Sequence, residues 1–154
     1  MLSIKLIKIG DENYYLDLAA EDYYTNGGEP PGKWVGGAAP LFGLFGKVEN
    51  DAFRRLLRGY RPSPHVGPGE DPPLIPLVQN AGNRDRRAAW DCTFSAPKSL
   101  SVIWSQADPE LRHEIQSSWQ ESVEEALAYA EEHLVVSRMG KGGINEVPVK
   151  VVAA

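Results

Sequence analysis

The strongest periodic pattern in the chain predicts a long amphipathic helix in its second half. Asp108 and Pro109 form a helix start, because an aspartate caps free N–H groups and a proline is tolerated in a first turn. Apolar residues then recur at intervals of three or four as far as His133, at Leu111, Ile115, Trp119, Val123, Ala126, Tyr129 and Ala130. With 154 residues the chain is long enough for one domain with a moderate core.

Shorter segments on both sides of this helix predict an α+β fold. In the first half of the chain we expect a strand over 2–9, a helix over 12–25 capped by Asp11, and a helix from Asn50 or Asp51 to about Gly59. A buried strand over 88–94 and a helix over 97–106, with its start at Ser95 or Ala96, should follow. Residues 135–136 and 147–152 should form a hairpin around the turn at 140–143. Pro148 should mark the start of its strand or a sheet edge, because it lacks a ladder donor. Residues 61–86 contain six prolines and three glycines and predict a long surface loop. The elements indicate an antiparallel sheet with helices packed on one face.

Charge and composition exclude several classes of protein. The net charge of -5 and pI near 5.2 argue against binding nucleic acid over the whole surface. Two local clusters, if they are not simply scattered solvated charge, could contact DNA: Arg54, Arg55, Arg58 and Arg61, and Arg84, Arg86 and Arg87. The single cysteine, Cys92, excludes an internal disulfide framework and is expected to be a buried thiol. Without a membrane span or secretory signal, we expect a cytoplasmic protein.

Two tyrosine pairs, Tyr14-Tyr15 and Tyr23-Tyr24, lie on the predicted helix 12–25. A phenol has a pKa of about 10, so its attack on a phosphodiester needs a neighbouring base or a metal. Two such tyrosine sites would allow two successive transfers of a DNA strand. The ordinary alternative is that the tyrosines only pack against other side chains. On one continuous helix Tyr14 and Tyr23 would face opposite directions, so both can reach one phosphate only if the helix breaks or ends between them.

Asp91 and the segment that follows it are the other candidates for chemistry. A carboxylate on a buried strand needs a partner, such as a metal-ligating histidine or, alternatively, a cap or backbone N–H. Ser95, Lys98 and Ser99 surround a predicted helix start, where free N–H groups and the helix dipole favour an anion such as a DNA phosphate. Simple helix capping is the alternative for the serines.

Taken together, these residues resemble the relaxase domain of TrwC/TraI-type (MobF) conjugative relaxases. The resemblance rests on Met1-Leu2-Ser3, the tyrosine pairs, Trp34 with Gly36-Gly37, and the sequence DCTFSAPKS of residues 91–99, and it extends across essentially the whole chain. It implies a palm-like fold and a metal-dependent enzyme that nicks one DNA strand at a plasmid transfer origin and stays attached to its 5′ phosphate. It also implies that Tyr14 is the principal nucleophile, that Tyr23 or Tyr24 serves the second transfer, and that Tyr15 is a supporting residue. Asp91 would orient a metal-binding histidine and is a candidate acceptor of the tyrosine proton.

The histidines depart from the pattern of this family. Its members bind their metal with three histidines, including an H-x-H pair, whereas this sequence has only His65, His113 and His133 and no H-x-H. We therefore expect residues 1–154 to be the N-terminal part of a relaxase domain, inactive alone, with Mg²⁺ or Mn²⁺ bound only by the full-length domain. The implied partners are single-stranded or hairpin DNA at a transfer origin and the conjugation machinery, without a membrane.

Two other functions stay open at this stage. One is a non-catalytic single-stranded DNA-binding or protein-interaction module that retains the relaxase framework. The other is a small acidic α+β domain without a nucleic-acid role. An incomplete sheet would leave an exposed edge, so we also expect the chain to aggregate or dimerise.

Overall fold

The structure, a computed structural model, describes residues 1–11, 14–15, 32–62 and 72–154. Its elements are β1 (Leu2–Lys8), α1 (Asn50–Leu57), β2 (Arg87–Phe94), α2 (Lys98–Gln106), α3 (Pro109–His133), β3 (Val136–Met139) and β4 (Asn145–Pro148), with 3₁₀ turns at Pro40–Phe42 and Lys141–Gly143. The predicted α+β class is confirmed, and the described residues form two small antiparallel sheets. Among the described residues, no helix is long and apolar enough to cross a membrane.

The contacts divide the chain into two compact units. The helical unit consists of Met1–Ser3, Val35–Ala38 and Cys92–Ala153, and the tyrosine unit of Ile4–Trp34, Ala39–Asp91 and Ala154. The boundary runs through both β1 and β2, so each of these strands contributes residues to both units.

Strands β1 and β2 form a two-stranded sheet. Met1 donates to the carbonyl of Ser95 at 2.7 Å, and the N–H of Ser95 donates back to Met1 at 2.8 Å, an exchange typical of antiparallel pairing. The prediction that β2 is buried is wrong: Trp90 is 61% exposed and Cys92 is exposed rather than buried. The physical reason is that β1 is the one strand paired with β2 among the described residues, so much of β2 faces solvent.

The tyrosine unit has a small apolar core. Its buried side chains are Ile7, Trp34, Ala39, Leu44, Ala52 and Leu57. Helix α1 turns Ala52 and Leu57 inward, and its cap is Glu49 rather than the expected Asn50 or Asp51, without a side-chain capping bond. In the described part of the predicted loop 61–86, the chain forms turns and one isolated bridge, from Tyr60 to Pro76.

The helical unit contains the long helix that the sequence predicts. Helix α3 begins after Asp108, whose Oδ1 accepts from the N–H of Leu111 at 2.9 Å, and it ends at His133. Helix α2 begins at Lys98 with Pro97 as its cap and without a side-chain capping bond, so the expected cap at Ser95 or Ala96 is wrong. The reason is that the backbone of Ser95 is already hydrogen-bonded to Met1.

Strands β3 and β4 form the predicted hairpin, with a shifted second strand. Val136 pairs with Pro148 and Met139 with Asn145. The second strand therefore begins at Asn145 rather than at residue 147. Pro148 ends this strand instead of starting it, and the strand lies at a sheet edge, the other position expected for the proline, because β3 is its one partner among the described residues. Residues of both strands are exposed.

The Gly36-Gly37 dipeptide makes close contacts that we call the glycine clamp, formed by Gly36, Gly37, Glu131 and Val151. The Glu131 carboxylate accepts from the N–H of Gly37 at 3.0 and 3.2 Å and also from the N–H of Val151. Gly36 has φ +90°, and a Cβ there would lie 2.5 Å from the carbonyl oxygen of Val151. Glycine is required at this position because both the backbone angle and the available space exclude a side chain.

Candidate active site

The first tyrosine pair lies just after β1, in the tyrosine unit. The carbonyl of Asp11 accepts from the N–H of Tyr14 at 3.1 Å, and both Tyr14 and Tyr15 have helical backbone. Their rings meet edge to face, with centroids 5.2 Å apart and an interplanar angle of 86°. Tyr14 is 65% exposed, whereas Tyr15 is partly buried. The two neighbouring phenols therefore occupy different environments.

Asp91 is brought to this pair by strand β2. The hydroxyl of Tyr15 donates to Oδ2 of Asp91 at 3.0 Å, between residues 76 positions apart in the sequence. Burial, this hydrogen bond and the negative charges of Asp91 and Asp11 raise the pKa of Tyr15 to about 12. The expected partner of Asp91 was a metal-binding histidine or a cap, and the structure provides the phenol of Tyr15.

The raised pKa predicts how Tyr15 affects stability at alkaline pH. Because the native state holds the phenolic proton more tightly than the unfolded chain, the stabilisation is fully present below pH 10.0 and is lost as the pH rises to about 12. Urea unfolding at intervals between pH 9 and 12 should show wild type losing stability relative to Tyr15→Phe. Tyr129→Phe, which removes a hydroxyl on the exposed part of α3, should follow the wild-type curve. Parallel curves for wild type and Tyr15→Phe would contradict the assignment.

The remaining predicted site residues are distributed over both units. Tyr23 and Tyr24 lie outside the described residues. Lys98 and Ser99 are exposed in the first turn of α2, and Ser95 precedes that helix. Arg84 and Arg87 are exposed in the tyrosine unit.

Arg86 has a local structural contact that the charge pattern does not reveal. Its guanidinium donates to the carbonyl of Leu57, the last residue of α1. Burial lowers the pKa of Arg86, which is consistent with a partly enclosed side chain. Arg86 therefore differs from Arg84 and Arg87 in its availability to an external phosphate.

The described histidines do not form a metal site. His113 and His133 are exposed on α3, and the ring of His133 lies 4.4 Å from that of Tyr129. His65 lies outside the described residues. In the ranges that the structure describes, no group of three or more His, Cys, Asp or Glu side chains is placed to hold a metal ion. The donor set needed for the expected metal is thus not found in this part of the chain.

Comparison with known proteins assigns the chain to a family. A family model described as TrwC relaxase matches residues 9–154, which is most of the sequence. The chain belongs to the TrwC relaxase family. Two Escherichia coli proteins named multifunctional conjugation protein TraI, one of them from strain K12, are each 38% identical to this relaxase-family chain over 107 residues. The aligned part is 67% of the chain and 5% of TraI.

Solved structures of the conjugative relaxase TrwC share the fold. A copper-bound complex of TrwC with oriT DNA has a TM-score of 0.63 and 26% identity, covering 99% of this chain and 47% of TrwC. A metal-bound complex of TrwC with oriT DNA has a TM-score of 0.61 and 27% identity, covering 99% of this chain and 46% of TrwC. TrwC complexed with a 27-mer DNA that comprises the recognition hairpin and the cleavage site has a TM-score of 0.61 and 25% identity, covering 99% of this chain and 45% of TrwC. This relaxase-family chain therefore spans about half the length of the TrwC chains.

Two carboxylates in this TrwC-family chain have contacts that sequence reasoning missed. Glu131 is one of the acidic residues of α3, yet it accepts from the N–H groups of Gly37 and Val151 in the glycine clamp. Asp11 is the expected cap of the helix predicted over 12–25, most of which lies outside the described residues, and its carboxylate accepts from the N–H of Lys8 at 3.1 Å while its charge acts on Tyr15. The Gly-Gly dipeptide is the one sequence signal for the first contact, because adjacent glycines permit a close approach.

Proposed function

We propose that this chain carries the tyrosine part of a relaxase active site, which cuts one DNA strand at a plasmid transfer origin and transfers it. The observation that carries the proposal is the Tyr14-Tyr15 pair beside Asp91 in a member of the TrwC relaxase family. TrwC has been solved with oriT DNA, including a recognition hairpin, and TraI is named a conjugation protein. These relatives support hairpin or single-stranded DNA as the substrate and the conjugation machinery as a partner.

The chemical step is a transesterification by Tyr14. Its phenolic oxygen bonds to phosphorus, the bond from phosphorus to the 3′ oxygen breaks, and the strand stays attached through a 5′-phosphotyrosyl bond. The phenolic proton passes to Asp91 or to water, and the leaving 3′ oxygen takes up a proton. The new bond keeps the energy of the broken linkage, so the reverse step joins DNA without ATP. Tyr23 or Tyr24 serves a second transfer.

The contacts to DNA phosphates are assigned to two exposed groups of residues. Ser95, Lys98 and Ser99 lie around the start of α2, where the helix dipole favours an anion. Arg84 and Arg87 offer exposed guanidinium groups, with Arg86 in a smaller role because of its bond to Leu57.

The metal belongs to the full-length domain in this proposal. A divalent ion such as Mg²⁺ or Mn²⁺ would polarise the scissile phosphate. The copper-bound and metal-bound TrwC structures support a metal in the family. Since the described residues offer no metal-binding group, no step performed by this chain is assigned to the ion.

We predict that residues 1–154 alone do not nick DNA. Incubated with a labelled oriT hairpin and Mg²⁺ or Mn²⁺, the chain should form no covalent adduct above background, because the phosphate lacks its electrophilic activation. Denaturing gels detect the adduct directly. Robust nicking by residues 1–154 that is lost in Tyr14→Phe would contradict the need for metal-binding histidines.

A non-catalytic DNA-binding module is the second candidate, favoured by the lack of a metal-binding group among the described residues. It requires DNA affinity that falls steeply with salt, because Lys and Arg contacts to phosphate release counterions. Affinity measured between 50 and 200 mM salt tests it, with Arg84→Ala and Arg87→Ala expected to reduce the salt slope by about 1 each. An affinity independent of salt would exclude phosphate contacts by these arginines.

A further inference from the structure

The hairpin of β3 and β4 is exposed on both of its faces. All eight residues of its two strands are exposed to solvent. Met139 at the end of β3 is 57% exposed, and Ile144 just before β4 is 83% exposed. A single two-stranded hairpin is marginally stable in water, and grouped apolar side chains at a surface mark an interaction site. The hairpin therefore has the properties of a surface that binds a partner.

The charge of the hairpin is opposite to that of the helix before it. Helix α3 contains seven glutamates and one arginine. Residues 134–150 contain three basic residues and one acid, namely Arg138, Lys141, Lys150 and Glu146. The Glu146 carboxylate lies 3.2 Å from the Arg138 guanidinium, so its charge is balanced within the hairpin. The two lysines are an excess of positive charge on a chain of net charge -5, and this excess favours an anionic partner.

The turn of the hairpin presents one cation and one apolar side chain. Three of the five residues 140–144 are glycines, and the other two are Lys141 and Ile144, which are both exposed. A two-stranded β-ribbon fits into a groove of duplex DNA. There a lysine contacts backbone phosphate, and an apolar side chain can insert between neighbouring bases and unstack them. The tip therefore combines the two kinds of side chain that such a contact uses.

We propose that the tip of the β3–β4 hairpin is a DNA contact, in which Lys141 binds a backbone phosphate and Ile144 inserts between two bases. This inference rests on the proposed function and adds to it a contact site in the helical unit. An anionic lipid surface would suit the same positive charge. DNA is favoured because the proposed function already requires DNA on this chain.

Two substitutions with different expected effects test the contact on residues 1–154. The affinity for a fluorescently labelled DNA hairpin with a single-stranded tail is measured by anisotropy between 50 and 200 mM salt. Lys141→Gln should weaken binding at low salt by about threefold or more and reduce the salt slope by about 1, because one phosphate contact is lost. Ile144→Ser should weaken binding by about threefold or more at an unchanged slope, since an apolar contact releases no counterions.

Matched controls make the same changes at other exposed positions. Lys47→Gln removes a lysine of the tyrosine unit, and Ile103→Ser replaces an apolar side chain on α2. Both should bind DNA as wild type does. Ile144→Leu keeps an apolar side chain at the tip and should restore the affinity that Ile144→Ser loses. A fluorescent base analogue in the DNA should brighten on binding wild type and not on binding Ile144→Ser, because insertion unstacks a base.

Several results would overturn the inference. These are an unchanged salt slope in Lys141→Gln, an unchanged affinity in Ile144→Ser, or the absence of DNA binding by residues 1–154. Equal DNA affinity of wild type and Ile144→Ser, combined with weaker binding of the variant to vesicles that contain phosphatidylserine, would assign the tip to a lipid surface. Equal DNA affinity combined with loss of self-association in sedimentation would assign it to a second copy of the chain.

Failure of the proposed function would be recognised separately. If both tip variants bind DNA more weakly while a longer protein containing this chain forms no adduct that depends on Tyr14, the DNA contact stands and strand cleavage is refuted. If the adduct forms and neither tip variant changes DNA affinity, strand cleavage stands and the contact at the tip is refuted.

Discussion

Replacing Tyr14 by phenylalanine is expected to abolish covalent attachment to DNA in a full-length relaxase that contains this chain. The variant has no oxygen to bond to phosphorus, so adduct formation should fall by at least about 1,000-fold, to background. The aromatic ring and its edge-to-face contact with Tyr15 are retained, so the fold and the affinity for DNA should change little. The adduct is measured with a labelled oligonucleotide that spans the cleavage site, on a denaturing gel.

The matched control for Tyr14→Phe is Tyr129→Phe, which removes one hydroxyl from an exposed tyrosine on α3. It should form the adduct at the wild-type rate. Persistence of the adduct in Tyr14→Phe would transfer the nucleophilic role to another tyrosine. Peptide mapping of the linked oligonucleotide would then identify whether that residue is Tyr15, Tyr23 or Tyr24.

Replacing Gly36 by alanine is expected to cause the largest loss of stability. Its φ of +90° disfavours any L side chain, at a cost of about 1–3 kcal/mol. The added Cβ would also lie 2.5 Å from the Val151 carbonyl oxygen, and forcing these backbones apart costs about 1–3 kcal/mol more. The free energy of unfolding of residues 1–154, measured in urea, should therefore fall by roughly 2–6 kcal/mol.

Gly43→Ala separates the two contributions at Gly36. Gly43 has φ +71°, but nothing lies within 4 Å of the position of its Cβ. Only the conformational cost applies there, so we expect a loss of about 1–3 kcal/mol. Equal losses in both variants would mean that the approach of Gly36 to Val151 contributes nothing to stability.

Local rules predict the helices and strands well where the determinants are close in sequence. Helix α3 follows from the Asp108 cap and the spacing of its apolar residues, and the structure has both the cap bond and the end at His133. Strand β1 follows from its alternation in the same way. The errors arise where a residue distant in sequence determines the structure. Met1 binds the backbone of Ser95, which therefore does not cap α2, and Cys92 is exposed because β1 is the one strand that pairs with β2 in the described part of the chain.

The sequence proposes the residues of the candidate site but cannot predict the contacts between them. The expectation that Asp91 has a partner rests on the cost of removing a carboxylate from water, and Asp91 is partly buried in the structure. That the partner is Tyr15, 76 positions away, depends on the pairing of β1 with β2, which brings Tyr15, just after β1, to Asp91 in the middle of β2. The contact of Glu131 with Gly37 joins residues 94 positions apart, and the spacing of apolar residues along the sequence cannot predict such a contact.

The division of the chain into two units also orders its assembly during synthesis. The tyrosine unit is complete at Asp91 except for Ala154, whereas the helical unit joins Met1–Ser3 and Val35–Ala38 to Cys92–Ala153. At about 5–20 residues per second, the ribosome needs roughly 5–18 s to reach Asp91. Once Asp91 has emerged from the ribosome, Tyr15 can meet it before the whole of α3 has emerged, while Gly37 still awaits its partner Glu131. Vectorial synthesis thus favours early formation of the surroundings of the tyrosine pair.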